Sequence, residues 1–190
     1  MAKARRIGSR TTEFPATMSS ASPVEFVPVN IVVVTVSDTR TPETDKSGAY
    51  LVESVTAAGH RLLDKHIVKD DTYKLRALVA TLIADEQVQA VLLTGGTGFT
   101  FRDNTVKAVT PLLDTMIEGF GELFRQISFA EIGCSTIQSR AFAGMANGTI
   151  VFALPGSPGA CRTGWDNIVS KQLDRRHKPC NFVDKLKQVE

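Results

Sequence analysis

Short apolar runs alternate with amphipathic stretches from about residue 28 onward. Asn30–Val36 and Thr149–Leu154 are continuous and rich in β-branched residues, a pattern typical of parallel strands covered on both faces. His60–Val68 and Val88–Thr94 predict two more strands. The sequence therefore predicts a largely buried, mostly parallel β-sheet.

Helices are predicted between these strands. Ser47–Ala58 is a helical stretch, and Gly59 supplies the residue that ends it. The next helix has an apolar stripe at helical spacing, formed by Leu75, Leu78, Val79, Leu82 and Ile83. Further helices are predicted over Asn104–Leu113, Gly121–Ala130 and Ala160–Leu173. Alternating strands and helices indicate right-handed βαβ units and an α/β fold.

Aromatic residues and glycines refine this prediction near residue 120. Phe120, Phe124, Phe129 and Trp165 lie at helical spacing and are expected in the core. Gly119-Phe120-Gly121 is expected to form a tight turn before its helix.

Composition limits the classes of function. The 190 residues suffice for one domain, 43% of them are hydrophobic, and the net charge is only +2. No apolar run approaches the ~20 residues of a membrane-spanning helix. The small net charge does not indicate a nucleic-acid partner. We therefore expect neither a membrane nor a nucleic-acid partner.

The cysteines and histidines do not form a metal-binding pattern. Cys134, Cys161 and Cys180 are widely spaced without a CxxC pair, which argues against a disulfide framework and a zinc site. Such thiols suit a reducing, cytoplasmic location. The histidines are scattered, and Ser37 and Ser157 have no evident His–Asp partner for nucleophilic catalysis.

The ends of the chain differ from its centre. Residues 1–27 are rich in Ser, Thr, Ala, Arg and Pro, and are expected to be a disordered extension. A transit peptide is the weaker interpretation, because Glu13 is present and an amphipathic face is lacking. The single domain is expected over residues 28–183, and residues 184–190 are expected to be a C-terminal tail.

Three strands end in segments suited to ligand binding: Thr35–Asp38, Thr94–Gly98 and Leu154–Pro158. Ligands of open α/β sheets bind beyond the carboxyl ends of the strands, so these segments are expected to form one site. Gly95-Gly96-Thr97-Gly98 lacks Cβ atoms at three positions, which lets backbone N–H groups approach a phosphate. It fits neither the Walker motif nor GxGxxG. The alternative is that these glycines serve only a sharp turn.

Acidic residues accompany the same strand ends. Asp38, Asp70 and Asp103 each follow a strand directly or through a short loop, so their carboxylates are expected to share one rim. Together they suit Mg²⁺ that is also held by phosphate oxygens. Capping of the following helices is the alternative role for Asp70 and Asp103.

Seven motifs in order resemble the molybdopterin-binding family of molybdenum-cofactor biosynthesis proteins, the MoaB/MogA group. The early motifs are Val36–Asp38, Asp45–Gly48, Thr94–Gly98 and Arg102-Asp103. The later motifs are Glu118–Glu122, Ser139–Ala141 and Leu154–Pro158. The resemblance runs from about Phe26 to Phe182, and the segments Ala160–Trp165 and Lys178–Phe182 are similar to the MoaB branch.

The resemblance implies a three-layer α/β sandwich that assembles as a trimer or hexamer. It also implies transfer of AMP from ATP to molybdopterin with Mg²⁺, with Asp70 and Asp103 as catalytic and metal-binding residues. By motif, it implies that the ligands contact Ser37, Asp38, Asp45, Ser47, Gly48, Thr94, Gly95, Gly96, Thr97, Gly98, Arg102, Glu118, Ser139, Arg140, Pro155, Gly156 and Ser157.

One departure leaves two functions open. Adenylylating members usually carry Thr-Pro and an acid after Arg-Asp, whereas this chain has Thr105-Val106-Lys107. The retained Asp70 and Asp103 favour the adenylyltransferase. Val106-Lys107 and the MoaB-like C-terminus favour a pterin-binding protein without catalysis.

Overall fold

A computed structural model describes residues 24–189. Most of the predicted N-terminal extension thus lies outside the described residues. At the other end, Leu186 is buried and the Lys187 ammonium donates to the carbonyl oxygens of Ile83 and Asp85. The packed domain therefore extends beyond the boundary predicted at residue 183.

The sheet has six strands in the order β2-β1-β3-β6-β5-β4. The first four strands of this order pair in parallel, and β5 and β4 join antiparallel. The strands are β1 Asn30–Val36, β2 Arg61–Val68, β3 Ala90–Thr94, β4 Thr115–Met116, β5 Phe142–Ala146 and β6 Thr149–Leu154. β1, β3 and β6 are neighbours, so their carboxyl ends lie side by side at one edge.

The connecting helices cover both faces of the sheet. They are α1 Lys46–Ala57, α2 Thr72–Ala84, α3 Thr105–Val109, α4 Glu118–Ile132, α5 Pro158–Gly164 and α6 Ser170–Gln172. A π-helical turn, Trp165–Val169, joins α5 to α6, and 3-10 helices form Thr110–Leu112, Gly133–Gln138 and Val183–Lys185. No helix in residues 24–189 is long and apolar enough to span a membrane.

The alternation of side chains along β1 produces two cores. Ile31 and Val33 pack with residues of α1, α4 and α5 on one face of the sheet. Val32 and Val34 pack with residues of α2 and α3 on the other face. Because both faces are buried, the strand is apolar throughout rather than alternating. The predicted three-layer α/β fold is confirmed.

The structure differs from the sequence prediction in several local features. β4 and β5 were not predicted, and α4 begins at Glu118 rather than Gly121. Gly119-Phe120-Gly121 is therefore helical, and a Cβ atom on Gly121 would lie 2.6 Å from the Ala141 carbonyl oxygen. Glycine at position 121 permits a close approach of α4 to the backbone at Ala141. Phe129 is 57% exposed, whereas Phe120, Phe124 and Trp165 are buried as predicted.

Candidate functional site

The three predicted strand-end segments meet around one cavity of about 660 Å³. The Gly95 N–H donates to the Leu154 carbonyl over 3.0 Å, which joins the β3 and β6 loops. The Thr94 hydroxyl donates to the Pro155 carbonyl over 3.0 Å, and the Ser47 hydroxyl donates to the Gly156 carbonyl over 2.8 Å. The rim is thus cross-linked by hydrogen bonds before any ligand binds.

Most residues predicted for the site line this cavity. They are Ser37, Asp38, Asp45, Ser47, Asp70, Thr94, Gly95, Gly96, Thr97, Gly98, Asp103, Ser139, Pro155, Gly156 and Ser157. Gly48, Arg102, Glu118 and Arg140 do not line it. Glu118 is exposed in the first turn of α4, whereas that helix lines the cavity only from Phe124 onward, six residues or about 9 Å further along its axis. The structure does not bring Glu118 into the site.

The glycine loop combines a constrained backbone with available donors. Gly95 has φ +104° and Gly96 has φ +65°, a region that residues with a Cβ atom rarely adopt. The Gly96 carbonyl accepts from the Thr105 N–H over 3.0 Å. Among residues 24–189, no acceptor is found for the N–H groups of Gly96 and Thr97. The loop therefore has both the sharp turn of the simpler interpretation and N–H groups suited to an anion.

Gly96→Ala is expected to lower the free energy of unfolding by about 2–3 kcal/mol. The added Cβ atom would lie 2.3 Å from Thr105 Oγ1 and 2.8 Å from Asp70 Oδ2, in a left-handed conformation. Urea unfolding at a fixed protein concentration measures the loss. Gly119→Ala is the matched control, because nothing lies within 4 Å of its added Cβ atom and alanine favours a helix. An unfolding midpoint for Gly96→Ala equal to that of the unchanged protein would contradict the constraint.

Asp70 and Asp103 do not cap the helices that follow them in sequence. The side chain of Asp71 caps α2 by accepting from the N–H groups of Tyr73 and Lys74. Asp70 Oδ1 instead accepts from the Asn104 N–H over 2.9 Å, so it contacts the start of the more distant α3. Both carboxylates line the cavity, and capping of their own helices was therefore the wrong alternative.

The electrostatic surroundings of the two aspartates differ. Burial raises the pKa of Asp70, hydrogen bonds from Asn104 partly offset this, and the charges of Asp103 and Asp38 raise it further. For Asp103, hydrogen bonds from Thr100 and Gly98 outweigh burial and lower the pKa. The Thr100 hydroxyl and N–H both donate to Asp103 Oδ2, over 2.6 and 2.8 Å. Negative charge thus accumulates at this end of the cavity and would favour a bound cation.

Two arginines outside the cavity lining form ion pairs or hydrogen bonds with the residues of this acidic end. Arg102 forms an ion pair with Asp38. Arg140 donates to the carbonyl oxygens of Thr97, Gly98 and Asp103, which ties the glycine loop to the Asp103 loop. The contacts in the structure assign both arginines to holding the loops.

Asp45 lines the cavity but its carboxylate is engaged by the protein. It is 2% exposed, and its oxygens accept from the Thr35 hydroxyl and the Gly48 N–H, each over 2.8 Å. The Lys65 ammonium lies 2.9 Å away. Burial opposes ionisation, but the hydrogen bonds from Lys65, Gly48 and Thr35 outweigh it and lower the pKa of Asp45. Asp45 therefore fixes the start of α1 against β1 and β2.

The packing around Gly48 explains why the motif that contains Asp45 has a glycine at this position. A Cβ atom there would lie 2.2 Å from Asp45 Oδ2 and 2.4 Å from Thr35 Oγ1. The glycine makes room for the buried carboxylate, and it lies behind the cavity wall.

One wall of the cavity was missed by sequence reasoning. It is formed by α4 and the 3-10 helix after it, through Phe124, Ser128, Glu131, Ile132, Ser135 and Gln138. The first four recur at spacings of four, three and one, which places them on one helical face. That periodicity was the available signal, but the predicted helix ended at Ala130, and of these residues only Phe124 was considered, as a core residue. Arg40 and Thr163 also line the cavity and were not predicted.

Cys161 lies buried against the β3 end of the cavity. Its sulfur is 3.1 Å from the Thr94 hydroxyl oxygen. Burial raises the pKa of the Cys161 thiol to about 11. The sulfur is therefore a protonated part of the packing, unsuited to act as a thiolate nucleophile at neutral pH.

The sequence departure at Val106-Lys107 does not reach the cavity. α3 still begins at Thr105, whose hydroxyl donates to the Gly95 carbonyl over 2.8 Å. Val106 packs on the core, and Lys107 is exposed and absent from the cavity lining. The helix start is thus held by Thr105 without a proline.

Comparisons with known proteins agree on one family. A family model described as "Probable molybdopterin binding domain" matches residues 32–175. Molybdenum cofactor biosynthesis protein B of Escherichia coli (strain K12) is 54% identical over 171 residues, covering 90% of this chain and all of that protein. The residues matched by the family model include every loop that lines the cavity.

Solved structures give the same result. A crystal structure of molybdenum cofactor biosynthesis protein B has a TM-score of 0.75 and 45% identity, covering 80% of this chain and 94% of its own. The tungsten cofactor synthesizing protein MoaB from Pyrococcus furiosus has a TM-score of 0.65 and 37% identity, covering 74% and 90% respectively.

Proposed function

The chain belongs to the molybdopterin-binding family of molybdenum cofactor biosynthesis proteins, and on that premise we propose that it binds molybdopterin in the three-loop cavity and transfers AMP to it. The observation that carries this proposal is the meeting of phosphate-type donors and carboxylates in one cavity. Gly96 and Thr97, whose N–H groups have no acceptor among residues 24–189, line the same cavity as Asp70 and Asp103. A phosphorylated ligand with a divalent cation matches both sets of groups.

The donor set fits Mg²⁺ only together with ligand oxygens. Among residues 24–189, no group of three or more His, Cys, Asp or Glu side chains is arranged to hold a metal alone. Mg²⁺ commonly takes one or two carboxylates and completes its coordination with phosphate oxygens and water. Asp70 and Asp103 would hold it here, and bound Mg²⁺ would neutralise charge on the phosphates of ATP.

The chain's part in AMP transfer is to position the reacting groups. An oxygen of the molybdopterin phosphate forms a bond to the α-phosphorus of ATP, and the bond from that phosphorus to the bridging oxygen breaks, releasing pyrophosphate. The N–H groups of Gly96 and Thr97 would orient phosphate oxygens for this displacement. The cross-linked rim keeps those donors fixed, which reduces the reorganisation needed during reaction.

Binding without catalysis is the second candidate. It is favoured by the ion pair of Arg102 with Asp38, which leaves that carboxylate less available to a cation. Val106-Lys107 gives it no structural support, since both residues lie outside the cavity lining.

AMP transfer tests the two candidates directly. Purified protein is incubated with molybdopterin, ATP and Mg²⁺, and pyrophosphate and adenylylated pterin are measured by chromatography. Turnover that disappears in Asp70→Ala supports the transferase and its site. Saturable molybdopterin binding without pyrophosphate release supports the second candidate. Failure to bind molybdopterin contradicts both.

Assembly and location follow the family resemblance in this proposal. A trimer or hexamer would use exposed apolar residues on α4 and the 3-10 helix after it that lie outside the cavity lining, such as Leu123, Phe129 and Ile137. A cytoplasmic location accords with biosynthesis of an intracellular cofactor and with the exposed thiols of Cys134 and Cys180.

A further inference from the structure

The carboxylates that line the cavity differ in the contacts they already make within the protein. Asp45 is enclosed by Thr35, Gly48 and Lys65, and Asp38 is paired with Arg102. Asp70 and Asp103 lie at the glycine loop, where the proposed function places phosphate and cation. Glu131 is the remaining carboxylate of the lining, and nothing in the proposed transfer uses it.

Glu131 is held in place while keeping most of its acceptor capacity. Both of its carboxylate oxygens lie 2.9 Å from Thr163 Oγ1. That hydroxyl also lies 3.0 Å from the Gly159 carbonyl, and it has a single proton to share among these acceptors. Thr163 is buried and Glu131 is exposed at the last turn of α4. A carboxylate offers about four lone-pair positions, so Glu131 can accept two further hydrogen bonds.

The wall around Glu131 is of the kind that receives a flat ring. Phe124 and Ile132 supply apolar surface to the cavity, and Ser128 and Ser135 supply hydroxyl groups. Ligand pockets typically combine such apolar walls with a few placed polar groups that set orientation. A phosphate would gain nothing from this wall, because Glu131 would repel it.

We infer that Glu131 recognises the aminopyrimidinone edge of the pterin ring. That edge presents two adjacent donors, the 2-amino group and N3–H, whose parallel arrangement matches the two oxygens of a carboxylate. Glu131 would accept one hydrogen bond at each oxygen, and Thr163 would position it. This inference rests on the proposed function for the pterin, and it makes Glu131 the residue that determines ring specificity.

Binding measurements with ring analogues test the inference. Molybdopterin binding is followed by fluorescence for the unchanged protein and for Glu131→Gln, and bound molybdopterin is displaced by pterin or by lumazine, which has an oxygen in place of the 2-amino group. We expect Glu131→Gln to weaken molybdopterin binding on the order of 10- to 100-fold, because a glutamine places one donor against a donor. Preference for pterin over lumazine should disappear in the same variant.

Two further variants separate recognition from general damage. Glu122→Gln makes the same change on an exposed part of α4 outside the cavity lining, and should bind molybdopterin like the unchanged protein. Thr163→Val keeps the volume but removes the hydroxyl at Glu131, and should give a smaller loss of affinity together with a reduced preference for pterin.

The outcomes distinguish this inference from the proposed function. Unchanged molybdopterin binding and unchanged pterin preference in Glu131→Gln would overturn the role of Glu131 and leave the proposed function standing. Absence of molybdopterin binding in the unchanged protein would overturn both. Loss of affinity in Glu122→Gln equal to that in Glu131→Gln would also overturn the inference, since general charge on α4 would then account for the effect.

Discussion

Asp103→Asn is expected to lower the rate of AMP transfer on the order of 10²- to 10³-fold, with a smaller effect on ATP affinity. Asparagine keeps an oxygen that can accept from Thr100, so the loop that contains Gly98 and Asp103 should retain its conformation. The negative charge is lost, and with it the attraction for a cation beside Asp70. The rate of pyrophosphate release at saturating substrates measures the effect.

Asp71→Asn is the matched control for this substitution. Asp71 is exposed, caps α2 and does not line the cavity, and asparagine is an equally good N-cap residue. Its rate should stay close to that of the unchanged protein. Full activity in Asp103→Asn would exclude a role for this carboxylate in positioning a cation. Equal losses in the two variants would point to a general effect of charge.

Asp45→Ala is expected to reduce the free energy of unfolding by about 3 kcal/mol. The substitution removes the acceptor of the Thr35 hydroxyl and the Gly48 N–H, and leaves the Lys65 ammonium without its partner. Lys65 retains 24% exposure of its side chain, so water compensates for part of the loss. Urea unfolding at one protein concentration provides the measurement.

The pH dependence of this loss identifies the charge as its source. The folded-state pKa of Asp45 is lowered, so its stabilising contribution is present above the unfolded pKa of about 3.9 and is lost as pH falls through the folded value. The difference between the unchanged protein and Asp45→Ala should be largest above about pH 5 and shrink below about pH 4. A difference independent of pH would contradict a contribution from the ion pair.

Asp64→Ala is the control for Asp45→Ala. Asp64 lies on β2 directly before Lys65, the partner of Asp45. Its side chain is 61% exposed, and it pairs with His66 at the surface. Removing it should change the free energy of unfolding by about 0.5 kcal/mol or less. A loss as large as that of Asp45→Ala would mean that burial does not decide the cost.

The parts of the fold that could be predicted are those where one physical signal dominates. β1 and β6 are apolar throughout because both faces of the sheet are covered, and a short, β-branched apolar run of this kind is typical of a buried parallel strand. β5 was missed because Phe142–Ala146 contains small residues and a glycine, and its pairing partner β4 is only two residues long. Such an edge forms by pairing with β6, which a local pattern does not reveal.

The candidate site divides in the same way. The loops after β1, β3 and β6 were predicted because strand ends are fixed by topology and glycines mark unusual backbone conformations. The burial of Asp45, its ion pair with Lys65 and the close packing at Gly48 were not predicted, since they depend on tertiary packing. Glu131 and its neighbours on α4 were missed because periodicity places residues on one face without showing what that face contacts.

The cavity has two walls of different origin. The loops after β1, β3 and β6 follow the most buried strands and are cross-linked by hydrogen bonds from backbone and hydroxyl groups, whereas the other wall consists of one half-exposed helix and the 3-10 helix that continues it. Mutations in the first wall are expected to affect stability and the proposed chemistry together. Under the proposed function, mutations in the second wall are expected to change the shape and polarity offered to a ring while leaving the glycine loop intact. Ring preference would then evolve, or be redesigned, on α4 independently of the loops proposed to bind phosphate.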